Sequence, residues 1–254
     1  MRDLIQWPSA KYWTRAWNLV IGCRPCSPAC ENCYAAAWAK RFGQSFKPHF
    51  VPKVHKVPYD GIVFCGNLTD LFGGWFLFPE DSIRRVIFGQ YKVLPSKRNA
   101  TYLWLTKRSA RMCQAVQAVC DSVGDAEWMR HYFGFTAENQ KLFDERVRDL
   151  PLFCGTSNLW LSLEPLLGPI DLHFFHQYNW GSFSWVVVGC ESGPKRRPCK
   201  IEWVESIVDQ CRAAGVPVFV KQIDIGGKCV TDINKFPAHL RIRQVPWAEK
   251  GERK

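Results

Sequence analysis

Ile21-Gly22-Cys23-Arg24-Pro25-Cys26-Ser27-Pro28-Ala29-Cys30-Glu31-Asn32-Cys33-Tyr34 places four cysteines within eleven residues, directly after the run Trp17-Asn18-Leu19-Val20. Thiols this dense are disulfides, a zinc site or the ligands of an iron-sulfur cluster, and spacing helps to separate the three. A four-cysteine zinc site is normally built from two CxxC knuckles roughly a dozen or more residues apart, so that two hairpins approach the metal from opposite sides. Here only three residues separate Cys26 from Cys30. One cramped loop suits a cluster that takes several ligands from one side. A structural zinc, or four free thiols, stays open as the plainer reading.

Outward from this loop the chain repeats a pattern of strand, polar strand end and helix. Runs rich in β-branched and aromatic residues occur at Trp17 to Ile21, Gly61 to Cys65, Thr101 to Leu105, Tyr132 to Thr136, Leu159 to Leu163, Trp185 to Gly189 and Pro217 to Val220. Most are continuous rather than alternating, the pattern of parallel strands buried on both faces. Between them Met112, Cys113, Val116, Val119, Cys120 and Val123 recur at helical spacing after a capping Ser109, and Trp203, Val204, Ile207, Val208 and Cys211 do so before Gly215. Asp81 to Tyr91 and Asn139 to Leu150 read as further helices. The expected fold is an α/β domain, a full or partial TIM-like (β/α) barrel of about six or seven parallel strands. Two stretches, at about 42–59 and 171–183, break the repeat and read as long loops.

In such barrels the chemistry collects where the strands end. The groups there are the cysteine loop, Asn67, Thr69 and Asp70, Lys107 and Arg108, Glu138 and Asn139, Glu164, Glu191 and Ser192, and Lys221 and Gln222. Charges in apolar surroundings are costly unless paired or ligand-bound, so these carboxylates and cations point to one shared polar cavity. Salt bridges that merely close the sheet are the plainer alternative. Gly189-Cys190-Glu191-Ser192-Gly193 lacks both the GxxxxGK[ST] and the GxGxxG pattern and supports no more than a tight turn. Cys65, Cys154, Cys190, Cys199 and Cys229 read first as small buried hydrophobes.

Cys26-x3-Cys30-x2-Cys33 is the spacing of the radical S-adenosylmethionine (SAM) enzymes, and other segments extend the likeness. They are Trp17-Asn18, Gly22-Cys23, Ser27-Pro28, Asn32-Cys33-Tyr34, Leu105-Thr106-Lys107-Arg108, Glu138-Asn139-Gln140, Glu164-Pro165-Leu166-Leu167-Gly168-Pro169-Ile170, Gly189-Cys190-Glu191-Ser192-Gly193-Pro194 and Ala213-Ala214-Gly215-Val216-Pro217 with Lys221-Gln222. As a set they resemble a family of phage-encoded, three-Cys-motif radical SAM proteins. That family usually spaces its cysteines CxxxxxxCxxC, which here selects Cys23, Cys30 and Cys33, and Cys26 stands where it usually has no cysteine. Both spacings are satisfied, so Cys23 and Cys26 both remain candidates for the first ligand.

The resemblance implies a [4Fe-4S] cluster on this loop, SAM as cofactor, and reductive cleavage to a 5′-deoxyadenosyl radical that abstracts hydrogen from a substrate. The expected cofactor contacts are Tyr34, Asn67, Asp70, Glu138, Asn139 and Glu164; Lys107, Glu191 and Lys221 are the expected catalytic groups. A one-electron donor such as flavodoxin or ferredoxin is implied, and a host cytoplasm if the protein is phage-encoded. A modified base in phage DNA is the expected substrate; a small molecule or peptide is the first alternative, and a non-catalytic, metal-stabilised nucleic-acid-binding protein the second. Whether the reaction is an isomerisation, a lysis or a transfer stays open.

Composition bounds these expectations. The 254 residues carry 34 Lys plus Arg against 23 Asp plus Glu, a formal charge of +11, which favours polyanionic partners without proving one. Hydrophobic residues make up 47%, with 12 Trp and 17 Phe, enough for a large core. The 12 cysteines follow an N-terminus with Arg2, Asp3 and Lys11 rather than an apolar leader. They are therefore expected to be reduced in a cytoplasm rather than paired in a secreted scaffold. No apolar run reaches the roughly 18 to 20 residues of a membrane span.

Overall fold

Strands without a polar face must be covered on both sides, and the apolar runs meet that requirement by forming a predominantly parallel sheet. In the computed structural model, which describes residues 4–51, 57–74, 99–120, 129–149, 158–172 and 183–249, the chain is a mixed α/β protein. Its elements are β1 (Leu4–Gln6), β2 (Arg15–Trp17), β3 (Val20–Ile21), α1 (Tyr34–Arg41), β4 (His49–Phe50), β5 (Asp60–Cys65), β6 (Asn99–Thr106), α2 (Ser109–Cys120), β7 (His131–Thr136), α3 (Gln140–Val147), β8 (Asn158–Leu163), β9 (Trp185–Gly189), α4 (Ile201–Ala213), β10 (Val218–Ile225), β11 (Lys228–Val230) and β12 (Gln244–Glu249). Every residue of β7 and β9 is buried. The chain divides into two compact units, each of which holds four neighbouring strands.

One unit comprises residues 13–135 and 146–158. Its strands run in the order β7-β6-β5-β2, all parallel. Register sets Trp17 beside Cys65 and Cys65 beside Trp104. The C-terminal ends of β2, β5 and β6 therefore lie side by side, and the segments that leave them start from one edge. Below that edge Met112, Cys113, Val116 and Val119 of α2 are wholly buried, each such side chain contributing about 1.5–3 kcal/mol relative to exposure. The Trp104 ring stacks on Phe133 at 5.6 Å, and its N–H donates to His131 Nδ1 at 2.9 Å, so the indole's polar group is satisfied inside the core.

The other unit holds residues up to Tyr12, Thr136–Glu145 and the chain from Leu159 onward. Here β8, β9 and β10 are parallel and β11 returns antiparallel on β10. The Tyr12 ring sits edge-on to Trp160, Trp185 and Phe219 at 5.9, 5.1 and 5.6 Å. α4 turns Val204, Ile207, Val208 and Cys211 inward and packs on β9 and β10.

Several boundaries differ from the sequence expectation. The expected strand Trp17 to Ile21 is split: Arg15–Trp17 joins the sheet, whereas Val20–Ile21 pairs antiparallel with β4. The expected loop at 42–59 thus contains a strand. The last expected strand, Pro217 to Val220, runs on to Ile225, so Lys221 and Gln222 lie within β10 rather than beyond it. A register shift between Val220 and Gln222 absorbs the polar pair, and the hairpin closes at Gly226-Gly227, φ +56° and +73°, as a two-residue turn with both φ positive requires. Ser109 begins α2 instead of capping it, and its hydroxyl donates to Asp149. The expected helix at Asp81 to Tyr91, the Cys154 position and most of the loop at 171–183 lie outside the described residues. Among the described residues no helix is long and apolar enough to cross a membrane.

Gly22 fixes where the cysteine loop starts. Its φ is +93°, and an added Cβ would lie 2.5 Å from the Lys47 carbonyl oxygen. Gly43 has φ +63° but nothing within 4 Å of such a Cβ. Gly43→Ala should therefore cost only the backbone penalty of about 1–2 kcal/mol. Gly22→Ala, which adds a clash with main chain that cannot swing away, should cost more than about 3 kcal/mol; urea denaturation of the two variants measures the difference.

Candidate functional site

The segments leaving β2, β5 and β6 are knotted together by one carboxylate. Asp70, 6% exposed, accepts from Phe72 N (3.0 Å) and Thr106 Oγ1 (2.7 Å) on one oxygen, and from Lys107 N (3.2 Å) and Arg108 Nη1 (2.7 Å) on the other. Four donors and an ion pair compensate the burial of its charge. Arg108 then reaches the cysteine loop, where Nη2 donates to the Arg24 carbonyl at 2.9 Å. Burial works against the guanidinium's charge, but Asp70 and the thiols of Cys26 and Cys23 outweigh it and raise its pKa.

Three further ties position the loop. Gly22 N donates to the Leu68 carbonyl at 3.1 Å, and Thr69 Oγ1 to the Gly22 carbonyl at 2.6 Å. The Tyr34 hydroxyl donates to the Asn67 carbonyl. Asn18, one residue past β2, spans the gap with its amide: Nδ2 donates to Asn67 Oδ1 at 2.7 Å and Oδ1 accepts from Leu68 N at 3.1 Å. Tyr34, Asn67 and Asp70 are thus brought together with the cysteines, and Lys107 joins them through its backbone N–H on Asp70.

Within the loop, Pro28–Cys30 forms a 3-10 turn and Cys33 immediately precedes α1. All four thiols are free. Cys30 Sγ accepts from Cys26 N at 3.5 Å and lies 3.8 Å from Ser27 Oγ. The Cys26 thiol donates to it as well, and against the cost of burial this bond, the backbone donors and the Lys107 charge bring its pKa down to about 4. The Cys26 thiol, holding the shared proton and partly buried, is pushed up. Burial and the Asp70 charge raise Cys23 to about 11 in spite of Arg108. Among the described residues no three ligating side chains already converge on a single ion. The donor set nevertheless fits a thiolate-bound metal group, because the ligands are thiols, one already favours its anion, and Lys107 and Arg108 supply compensating charge.

In the other unit Glu164, expected as a cofactor contact, pairs with Lys221 Nζ at 2.6 Å and accepts from Tyr12 Oη and Ser162 Oγ, each at 3.2 Å. Lys221 also sits 5.7 Å from the centre of the Tyr12 ring. Glu138 is wholly buried. Asn139 Oδ1 accepts from Leu142 N at 3.1 Å and so caps α3. Glu191, expected as catalytic, has both oxygens taken by Arg197, with Nε at 2.9 Å and the backbone N at 2.8 Å on one of them and Nη2 on the other. It clamps the loop that leads to α4. Removing one partner from a buried pair of this kind costs about 3–5 kcal/mol. Sequence reasoning named Arg108 as a strand-end group but missed Arg197, Tyr12 and Asn18 as site-forming residues; of these only Asn18 carried a signal, as a polar group directly behind an apolar strand.

A second thiol group lies in the same unit. Cys190 donates to Cys229, which raises Cys190, already disfavoured as a thiolate by burial. Cys229 is lowered to about 7 by that bond and, against its own burial, by Arg196 and Lys221. Iodoacetamide treatment of the reduced protein should therefore alkylate Cys229 with a midpoint near pH 7. Cys199, raised by burial to about 12, should stay unmodified across that range; peptide mass spectrometry over a pH series reads both sites.

Comparison with curated proteins gives no match, and neither does comparison with solved structures. One family model matches residues 8–241, a span that takes in the cysteine loop and every polar strand end described above. The chain belongs to the family described as a protein of unknown function, DUF5131.

Proposed function

We propose that the protein is a radical SAM enzyme, with its parallel strands forming a full or partial TIM-like barrel. The observation that carries this reading is the cysteine loop, which gathers four unpaired thiols on a backbone tied to the Asp70–Arg108 ion pair. Cys30, Cys33 and either Cys23 or Cys26 would hold a [4Fe-4S] cluster. Such a cluster supplies the electron for reductive cleavage of SAM to methionine and a 5′-deoxyadenosyl radical, which takes a hydrogen atom from substrate.

The chain's own residues have separable tasks. Asp70, with both oxygens occupied, fixes Arg108. Arg108 and Lys107 offset the negative charge of the thiolates. Asn67 and Tyr34, beside the last cysteine, are the contacts offered to SAM in this unit. Glu138, Asn139 and Glu164 are the candidates for its ribose and ammonium groups, with Asn139's side-chain oxygen already engaged as a cap. Glu191 holds the turn after β9, and Lys221, paired with Glu164 beside Tyr12, is the cation offered to a substrate in that unit. DNA is the proposed substrate, on the resemblance and the basic charge, with a flavodoxin- or ferredoxin-like electron donor in a host cytoplasm.

Anaerobic reconstitution with iron and sulfide should yield about four irons per chain, an EPR signal perturbed by SAM, and 5′-deoxyadenosine on reduction. About one tightly held zinc per chain with no deoxyadenosine would instead identify a metal-stabilised binding protein.

Two variant sets refine the result. Cys30→Ala and Cys33→Ala should each abolish cluster retention, and only one of Cys23→Ala and Cys26→Ala should do so, which decides the first ligand. Arg108→Gln keeps every thiol but frees the loop from Asp70. It should weaken iron retention about 10- to 100-fold in chelator competition, the range found when groups supporting metal ligands are removed.

A further inference from the structure

From Asn32 to Tyr59 the chain carries Lys40, Arg41, Lys47, Lys53 and Lys56 and not one Asp or Glu. These 28 residues thus hold five of the eleven excess positive charges of the whole protein. The described part of this segment is folded against the cysteine loop. Cys23 N donates to the Phe46 carbonyl at 3.2 Å and Val51 N to the Leu19 carbonyl at 3.1 Å, while β4 pairs with β3.

Its outer side combines two features. Tyr34, Phe42 and Phe50 are 55%, 57% and 54% exposed, whereas most of the rings among the described residues are buried. Phe42 packs on Trp38 at 5.1 Å with the Arg41 guanidinium 5.8 Å from its centre. Between these rings stand Lys40, Arg41 and Lys47, all exposed, and among the described residues none of the three has a carboxylate partner. The nearest acid along the chain on the N-terminal side is Glu31, exposed and directly before the segment.

We propose that this surface, formed by α1 and β4 beside the cysteine loop, binds single-stranded nucleic acid. Phosphates lie on Lys40, Arg41 and Lys47, and unpaired bases stack on Phe42 and Phe50. An acidic protein would satisfy the cations but has no use for the exposed rings. Every unpaired nucleobase has a face that stacks on them, and its backbone delivers the anions at regular intervals. The inference rests on the proposed function for the purpose of the contact, namely bringing a base to the cysteine loop; the surface itself stands on charge and exposure.

The test is fluorescence anisotropy of a fluorescein-labelled oligothymidylate of about 15 nucleotides, matched to the site sizes of such surfaces. It is titrated with the full chain, as purified and after reconstitution, across a salt series and without SAM. The expected log–log salt slope is about −0.7 per phosphate neutralised. The triple variant Lys40→Gln, Arg41→Gln, Lys47→Gln should flatten that slope by about 2. The pair Phe42→Ala, Phe50→Ala should leave the slope unchanged and weaken binding about tenfold or more. Lys235→Gln, an exposed lysine of the other unit, should change neither.

Wild-type slope and affinity in both sets of variants would overturn the proposal, and so would displacement of the oligonucleotide by polyglutamate at matched charge. Oligonucleotide binding that depends on the patch, in a protein that never yields deoxyadenosine, supports the surface and removes the radical reading. Deoxyadenosine from a protein with no measurable oligonucleotide binding removes the surface and leaves the cluster.

Discussion

A buried carboxylate that takes four donors is the fixed point from which the cysteine loop is hung. Asp70 would be a costly anion inside the protein if any of its bonds were missing. Instead it gathers a donor from its own turn, two from the end of β6 and the fork of Arg108. Arg108 is thereby held with its second nitrogen on the Arg24 carbonyl. Ordering a loop costs about 1–2 kcal/mol per residue in backbone entropy, and a segment with Pro25, Pro28 and few regular hydrogen bonds does not recover this by itself. It is recovered at the edges, through Gly22 on Leu68 and Thr69 and Tyr34 on Asn67. The strand ends thus give the loop its shape.

That dependence explains why the thiols differ although the residue type is the same. Cys65, Cys113 and Cys211 lie in the core, where burial raises their pKa and makes them unreactive. Cys30 lies within reach of Lys107 and takes hydrogen bonds from Cys26 and Ser27, so its thiolate is favoured in spite of partial burial. Cys229 is a milder case, favoured by a single neighbouring thiol and two cations. Reactivity follows donors and charge more than exposure alone.

The strands were legible because burial on both faces leaves a continuous apolar run, and β5 through β9 stand where those runs stand. The ends of the first and last runs were not. Val20 and Ile21 are as apolar as any sheet residue, yet Asn18 turns the chain away from β5 and they pair with β4 instead. Lys221 and Gln222 look like a strand end because they are polar, whereas a shift of register lets β10 carry them onward to the Gly226-Gly227 turn. Of the candidate site, the positions past each strand could be read, since they depend only on where the strands stop. Their partners could not: Arg108 meets Asp70 through the register of β5 on β6, and Arg197 meets Glu191 through a turn with no strong sequence signature.

The partners also divide the polar strand ends by what they can do. Asp70 and Glu191 are each held by an arginine, a planar fork that keeps its proton throughout the physiological range and fixes a carboxylate in both direction and charge. Such pairs suit a scaffold. Glu164 is held by a lysine and by two hydroxyls, from Tyr12 and Ser162. An ammonium on a flexible stem can rotate between partners, and a tyrosine hydroxyl can either donate or accept. The residues that looked alike in the sequence, as carboxylates behind strands, are therefore of two kinds. The arginine-bound ones fix the backbone around the cysteine loop and the turn after β9, and the lysine-bound one is held by partners that can rearrange.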